Sequence, residues 1–114
     1  MALDDIRLTT TVAQVLRVFL EDPGEARYGF DLMRQTRMPS GTLYPILARL
    51  EKAGWITSQR EAIDPVERGR PQRRMYLLTT EGAETTRIEL ARLSAAFRPP
   101  GTAHRTLRPE GGSL

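Results

Sequence analysis

Residues 39–56, with the sequence PSGTLYPILARLEKAGWI, combine the pattern of a buried helix with two residues that weaken helices. Apolar residues recur at the i, i+3, i+4, i+7 spacing of an amphipathic helix, and they are Leu43, Ile46, Leu47 and Leu50. Gly41 and Pro45 lie in its first turns, although these residue types cost ~1 and ~3 kcal/mol relative to alanine inside a helix. The other side of the helix should therefore explain why both are present.

The side of this helix opposite the apolar stripe is small near its start and basic further along. A face that enters the major groove of DNA needs small residues where backbones approach, and hydroxyl groups and cations where phosphates and base edges lie. Exposed N–H groups at a helix start also favour a phosphate. We therefore predict DNA contacts from Ser40, Gly41, Thr42, Tyr44, Pro45, Arg49 and Lys52. The alternative is that Pro45 is only an early-turn proline in a helix that starts late.

Two helices precede this one along the chain. Residues 9–20 predict a helix with a threonine cap and one apolar stripe, and residues 28–35 predict a shorter helix. The turn between the second and third helices, Thr36-Arg37-Met38, is about three residues long. Helices joined by so short a turn cross steeply, as in a helix-turn-helix, and do not pack antiparallel.

The chain after Gly54, which provides the helix stop, predicts two strands at residues 55–60 and 73–79 around a loop. Such a hairpin is marginal alone, so it should pack on the helices through Trp55, Ile56, Tyr76 and Leu78. A helix, a helix-turn-helix and a hairpin follow each other in winged-helix order. The predicted fold class is mostly α with a two-stranded β-wing (α+β), in a domain over residues 8–79.

The loop of the hairpin contains Arg68-Gly69-Arg70-Pro71, in which two guanidinium groups flank a glycine and a proline fixes the exit. Arginine in a narrow minor groove is favoured by the negative potential there. We predict DNA contacts from Arg68, Gly69 and Arg70 in this loop and from Arg73 at the following strand. The alternatives are a solvated turn for the loop and a plainly exposed strand residue for Arg73.

Residues 80–97 predict a last helix whose apolar residues lie seven apart over only two repeats. Its own domain offers it little to pack against, so we predict a dimerisation helix, with packing inside one chain as the alternative. The predicted dimer interface consists of Val12, Leu16, Ala83, Leu90, Leu93 and Phe97. Residues 98–114 contain three Pro, three Gly and no periodicity, which predicts a disordered tail.

The composition restricts the class of function. The 114 residues include no cysteine and one histidine, His104, so we predict no enzyme, no metal site and no cofactor. No apolar run approaches the ~18 residues of a membrane span, which favours a cytoplasmic protein. The net charge is +3, but residues 37–74 alone hold eight basic and four acidic residues. Codon usage can explain an excess of arginine, but the clustering of basic residues in this part of the chain favours a polyanionic partner.

The stretches YGFDLMRQTRMPSGTLYPILARLEKAGWI and RGRPQRRMYLLTTEG resemble the PadR family of bacterial winged-helix transcriptional regulators, over roughly residues 8–93. The most specific parts around the third helix are GTLYPIL, RLE and GWI. At the wing exit they are GRP and EG, with a tyrosine, a leucine and a threonine between them. The resemblance implies a homodimeric repressor that binds an inverted-repeat operator and is released by a ligand or stress signal. It also implies DNA contacts at Gly41, Thr42, Tyr44, Pro45, Gly69, Arg70 and Pro71.

With one C-terminal helix, the sequence resembles the compact members of that family. Relatives that bind flat aromatic drugs have a tryptophan in the terminal helix, and none occurs between Thr80 and Phe97, which argues against that mode of effector binding. The alternative function is a winged-helix module that binds another protein through its third helix or wing. The basic residues clustered between Arg37 and Arg74 argue against this alternative.

Overall fold

The helices and strands of the chain enclose one apolar core. The computed structural model describes residues 6–96, which form five helices and three strands. The elements are α1 (Thr10–Glu21), β1 (Arg27–Tyr28), α2 (Gly29–Thr36), α3 (Ser40–Lys52), β2 (Ile56–Arg60), α4 (Pro65–Arg68), β3 (Arg74–Leu78) and α5 (Thr80–Ala96). This mostly helical fold with a small antiparallel sheet confirms the predicted fold class.

Helix α1 begins where the sequence provides a cap. Thr9 has an extended backbone, and its Oγ1 accepts a hydrogen bond from the Val12 N–H at 3.2 Å. One side of the helix is buried, and it consists of Val12, Ala13, Val15, Leu16, Val18 and Phe19. Burying a large apolar side chain contributes roughly 1.5–3 kcal/mol. Helix α1 therefore provides much of the apolar surface on which α2 packs.

The predicted short connection joins α2 to α3. The Thr36 Oγ1 donates a hydrogen bond to the Leu32 carbonyl at 2.6 Å, and Arg37 follows in the left-handed conformation, with a φ of 58°. A left-handed residue directs the chain away from the helix that it ends. Pro39 then adopts an extended backbone, and its carbonyl accepts from the Thr42 N–H at 3.0 Å at the start of α3.

Helix α3 buries the whole predicted apolar stripe, which consists of Leu43, Ile46, Leu47 and Leu50. Because α3 begins at Ser40, Pro45 lies in its second turn, and the interpretation of Pro45 as an early-turn proline in a late-starting helix is wrong. Proline has no N–H, so the Gly41 carbonyl lacks its usual helical donor. Gly54, after the helix, has a φ of 89° and acts as the predicted stop.

The three strands form one antiparallel sheet in the order β1-β3-β2. The predicted hairpin is β2 with β3, in a register that pairs Ile56 with Leu78. Tyr76 and Leu78 are buried on the same face, as predicted. The third strand, β1, is a correction to the two-stranded prediction, because a two-residue strand is too short to show a periodicity.

The wing, defined here as residues 56–78, contains the one-turn helix α4 where a continuous loop was predicted. The Asp64 carboxylate accepts a hydrogen bond from the Val66 N–H at 3.0 Å, Pro65 is the first helical residue, and Gly69 ends the turn with a φ of 68°. An Asp cap, a Pro at the first position and a Gly after the end are ordinary helix signals. The sequence therefore contains the information for α4.

Helix α5 starts at Thr80 and is attached to the end of α3 through Thr79. The Thr79 Oγ1 accepts from the Gly82 N–H at 2.8 Å and donates to the Gly54 carbonyl at 2.9 Å. Gly82 approaches the Trp55 carbonyl so closely that a Cβ at this position would overlap it. The first turn of α5 is therefore held tightly on the winged-helix domain.

Three of the residues predicted at a dimer interface are buried inside the single chain. Val12, Leu16 and Ala83 are 2%, 0% and 7% exposed and belong to its core, because α1 packs on the sheet and on α5. Side chains that their own chain covers are not available to a second copy, so the prediction is corrected for these three. Leu90 and Leu93 remain partly exposed.

Two predictions fall outside the described residues, namely Phe97 as an interface residue and residues 98–114 as a tail. Within residues 6–96, no helix is long and apolar enough to cross a bilayer. The same part of the chain contains no group of three His, Cys, Asp or Glu side chains that could hold a metal ion.

Candidate nucleic-acid interface

The outward face of α3 presents all the residues predicted there. Every one of them is exposed, and they are Ser40, Gly41, Thr42, Tyr44, Pro45, Arg49 and Lys52. Among the residues that the structure describes, neither Arg49 nor Lys52 takes part in an ion pair. Both cations are therefore available to an anionic partner.

Packing against residues 6–96 does not explain Gly41 and Pro45. A Cβ built on Gly41 would meet no atom within 4 Å, so the fold does not require glycine here. Pro45 is exposed and leaves the Gly41 carbonyl without a helical donor. Both residues therefore weaken α3 on the face that its own chain leaves open.

Tyr44 is the aromatic residue of this face, and α2 positions its ring. The ring lies so close to Gly29 that a Cβ at this glycine would overlap it. Together with Phe30, Arg73 and Arg74, Tyr44 and Gly29 line an open cleft of about 260 Å³. The cleft is thus lined by residues from α2, α3 and the start of β3.

The predicted wing residues have different surroundings. Arg68 and Gly69 are exposed at the end of α4. Arg70 instead forms a bidentate ion pair with Glu61, with Nη1 donating to Oε1 at 2.8 Å and Nη2 donating to Oε2 at 3.1 Å. The Arg70 side chain is only 28% exposed. The Arg70 guanidinium group, which was predicted to contact DNA, is folded back onto the wing.

Glu61 accepts hydrogen bonds from three parts of the chain. In addition to Arg70, its carboxylate accepts from the Tyr28 hydroxyl and from the Arg73 N–H, each at 3.1 Å. Bonds to the charged form, led by the one from Arg70, lower the pKa of Glu61 to about 2, although burial opposes the shift. The hydrogen bond from the Tyr28 hydroxyl to Glu61 raises the pKa of Tyr28. Sequence reasoning missed Glu61 because no local pattern links it to Tyr28, 33 residues away.

Arg73 and Arg74 are exposed where β3 begins, and they differ in their partners. The Arg73 guanidinium lies over the ring of Tyr28, 5.9 Å from its centre, which is a cation–π arrangement. Arg74 Nη1 donates to the Ser58 hydroxyl at 2.8 Å, and Ser58 donates to the Glu51 carboxylate at 2.6 Å. Within residues 6–96, Arg73 has no ion-paired carboxylate, so its charge is uncompensated.

A second surface lies between α1 and the outer half of α5. It is an open groove of about 720 Å³, lined by Thr10, Ala13, Gln14, Arg17, Leu90, Leu93 and Ser94. Leu90 and Leu93, both predicted at a dimer interface, therefore reach this groove. Ile88 on the same helix is 48% exposed. The outer half of α5 is thus only partly covered by its own chain.

Comparison with known proteins identifies the family. Residues 18–88, which include α2, α3 and the whole wing, match the family described as transcriptional regulator PadR-like. The chain belongs to this family. The resemblance predicted from the helix 3 and wing motifs is therefore confirmed. No curated protein matches the sequence.

Solved structures share the PadR-like fold at low sequence identity. The protein smu.1704 from Streptococcus mutans is 24% identical, with a TM-score of 0.59 over 80% of this chain and 86% of that one. A PadR family transcription regulator from Clostridium difficile is also 24% identical, with a TM-score of 0.59 over 75% and 88% of the two chains. Overoxidized AbfR bound to DNA is 22% identical, with a TM-score of 0.64 over 87% of this chain and 65% of AbfR.

Proposed function

We propose that this protein binds double-stranded DNA as a homodimer and represses transcription at an inverted-repeat operator. The observation that carries the proposal is the exposed face of α3. Its glycine and its proline weaken the helix, both are exposed, and two cations without an ion-paired partner in the described part of the chain follow in the next turns. Such a face admits a DNA backbone closely and supplies cations to phosphates and base edges.

In the proposed complex, α3 enters a major groove and the wing lies against the flanking minor groove. The small N-terminal part of α3, from Ser40 to Pro45, approaches the DNA most closely. Arg49 and Lys52 bind phosphates or guanine edges from the last turns of the helix. Arg68 and Gly69 form the tip of the wing, which the left-handed backbone of Gly69 turns sharply at the end of α4.

We propose that the second copy binds to the outer half of α5 and the adjoining groove against α1. Ile88, Leu90 and Leu93 supply apolar surface there, and its burial contributes ~25 cal/mol per Å². A two-fold dimer directs its two α3 helices into successive major grooves, about 34–36 Å apart along the DNA. The symmetry of the dimer is the reason to propose an inverted repeat.

The family and one structural relative support this function. PadR-like proteins are transcriptional regulators by the description of the family, and AbfR, which shares the fold, has been solved bound to DNA. We extend DNA binding to this chain on the strength of its own α3 face. The proposed regulator is cytoplasmic, is not an enzyme, and binds its operator without a cofactor.

Selection of bound sequences from a random pool of duplex DNA tests the proposal. The expected product is a palindrome with half-sites one helical turn apart, bound more weakly as salt increases. Arg49→Ala should reduce the slope of log K against log salt by about one. Arg7→Ala, a control that removes the same charge from an exposed residue before α1, should leave the slope unchanged. Enrichment of single, unrepeated half-sites would contradict the homodimer.

A module that binds another protein is the second candidate, and one observation favours it. Phe30, which lines the cleft beside Tyr44, is 64% exposed, and exposed aromatic side chains are enriched in protein interfaces. Titration with random duplex DNA at low salt separates the two candidates. A protein-binding module should show no salt-dependent association with any duplex, whereas the proposed regulator should bind all of them weakly.

A further inference from the structure

The side chain and main chain of Glu61 together close the base of the wing loop. The Glu61 N–H donates to the Arg73 carbonyl at 2.8 Å, and the Glu61 Oε1 accepts from the Arg73 N–H at 3.1 Å. Through Oε2 the same carboxylate accepts from the Tyr28 hydroxyl of β1. The Glu61 side chain is only 11% exposed, so water competes poorly for these bonds.

This arrangement leaves the two arginines of the loop in opposite states. Arg70 donates hydrogen bonds from both terminal nitrogens to Glu61, and Nη1 donates a further bond to the Pro71 carbonyl at 3.2 Å. The charge of Arg70 is therefore compensated within the protein. Arg73 has no ion-paired carboxylate in the described part of the chain. Transfer of Arg70 to a phosphate would break a bidentate charged pair and leave Glu61 without its ion-pair partner. Breaking such a pair costs more free energy than breaking a hydrogen bond between neutral groups.

Glu61 also determines where Arg73 lies. It binds the main chain of Arg73 directly, and it holds the hydroxyl of Tyr28, whose ring supports the Arg73 guanidinium. From this position Arg73 lines the open cleft that it shares with Tyr44 and Arg74. The cleft is therefore lined by one tyrosine and two arginine residues where α3 meets the wing, and hydroxyl and guanidinium groups are donors that bind phosphates.

We propose that Glu61 is the positioning residue of the wing: it compensates Arg70 inside the protein and holds Arg73 at the cleft beside Tyr44, where Arg73 binds a phosphate of the DNA backbone and Arg70 does not. This inference rests on the proposed DNA-binding function. It differs from the contact that the PadR resemblance implies, in which Arg70 itself touches DNA.

The salt dependence of binding to one duplex tests this assignment. Arg73→Ala should reduce the slope of log K against log salt by about one, whereas Arg70→Ala and the control Arg7→Ala should leave it unchanged. Glu61→Gln should reduce the slope as much as Arg73→Ala does. In the double variant Glu61→Gln/Arg73→Ala the slope should be reduced no further than in either single variant, because both substitutions remove the same contact.

The direction of the Glu61→Gln effect separates positioning from competition. This substitution makes the net charge more positive, which alone would tighten binding to DNA. Weaker binding of Glu61→Gln, by about 5–30-fold, therefore supports positioning. Tighter binding of Glu61→Gln, together with a slope reduced by about one in Arg70→Ala, would mean that Glu61 competes with DNA for Arg70, and would overturn the inference.

Two further outcomes keep the test decisive. If Glu61→Gln does not fold, the comparison of Arg70→Ala with Arg73→Ala still decides, since a reduced slope in Arg70→Ala alone overturns the inference. Failure of the unaltered protein to bind any duplex in a salt-dependent manner would overturn the proposed function itself. Salt-dependent binding by the unaltered protein, with equal slopes in Arg73→Ala and Arg7→Ala, would overturn only the role of Arg73.

Discussion

The exposed face of α3 and the wing carry the two sets of proposed DNA contacts, and the protein positions them in different ways. On α3, helix geometry directs the side chains of Arg49 and Lys52 outward. Neither has an ion-paired partner among the described residues. In the wing, Glu61 holds both Arg70 and Arg73. The α3 cations are therefore positioned by the helix alone, whereas the position of Arg73 in the wing also depends on Glu61.

The largest expected effect distinguishes the two faces of α3. Leu43 is fully buried, so Leu43→Ala should lower the free energy of unfolding by about 2–5 kcal/mol, because a cavity remains. Arg49→Ala, on the opposite face, should change it by no more than about 0.5 kcal/mol. Denaturant unfolding measures both values. A loss in Arg49→Ala as large as that in Leu43→Ala would mean that the outer face is packed against the chain.

Pro45→Ala should raise stability while it weakens DNA binding. The new N–H can donate to the Gly41 carbonyl, so the free energy of unfolding should rise by ~1–3 kcal/mol. The loss of the pyrrolidine ring and the changed backbone at the outer face should lower the affinity for the selected duplex. Stabilisation measured in denaturant without any loss of affinity would show that the proline has no role at the interface.

Gly41→Ala is a smaller change of the same kind, and Gly82 provides a matched control. A Cβ at Gly41 meets open space, so the alanine should stabilise α3 by ~1 kcal/mol and still impede the approach of DNA. Gly82→Ala should instead destabilise the protein, because its Cβ would overlap the Trp55 carbonyl. Thermal unfolding and duplex titration of both variants distinguish a glycine that is needed for DNA binding from a glycine that is needed for packing.

The parts of the fold that local pattern determines were predictable from the sequence. The apolar spacing of α3 specifies which residues face inward, and each residue predicted on its outer side is exposed. The cap at Asp64 and the stop at Gly69 also specify α4 locally, although a continuous loop was predicted there. Strand β1 has no such signal, because its two residues pair with β3 only after the chain has folded around them.

Long-range partners were not predictable in this way. An apolar stripe shows that a helix face is covered but not what covers it, and so Val12 and Leu16 were predicted at a dimer interface although their own chain buries them. The pairing of Arg70 with Glu61 depends on the short α4 turn, which folds the chain back within nine residues. The bond from Tyr28 to Glu61 depends on the third strand.

The smallest expected effect belongs to the wing and depends on pH. Bonds from Arg70, the Arg73 N–H and Tyr28 hold the pKa of Glu61 at about 2 in the folded protein, against an ordinary value of 4.5. Between these two pH values the unfolded chain binds a proton that the folded chain does not. The contribution of Glu61 to stability is therefore complete above pH 4.5 and is lost as the pH falls toward 2.

The measurement is the difference in melting temperature between the unaltered protein and Glu61→Gln across this pH range. The difference should be constant above about pH 5 and should shrink toward zero near pH 2, because the protonated carboxyl group then resembles the amide. Arg49→Ala, whose side chain has no carboxylate partner among the described residues, should show no comparable change with pH. If the Glu61→Gln difference stayed constant down to pH 2, the charged bonds of Glu61 would not stabilise the wing, and α3 and the wing would no longer differ in how their cations are positioned.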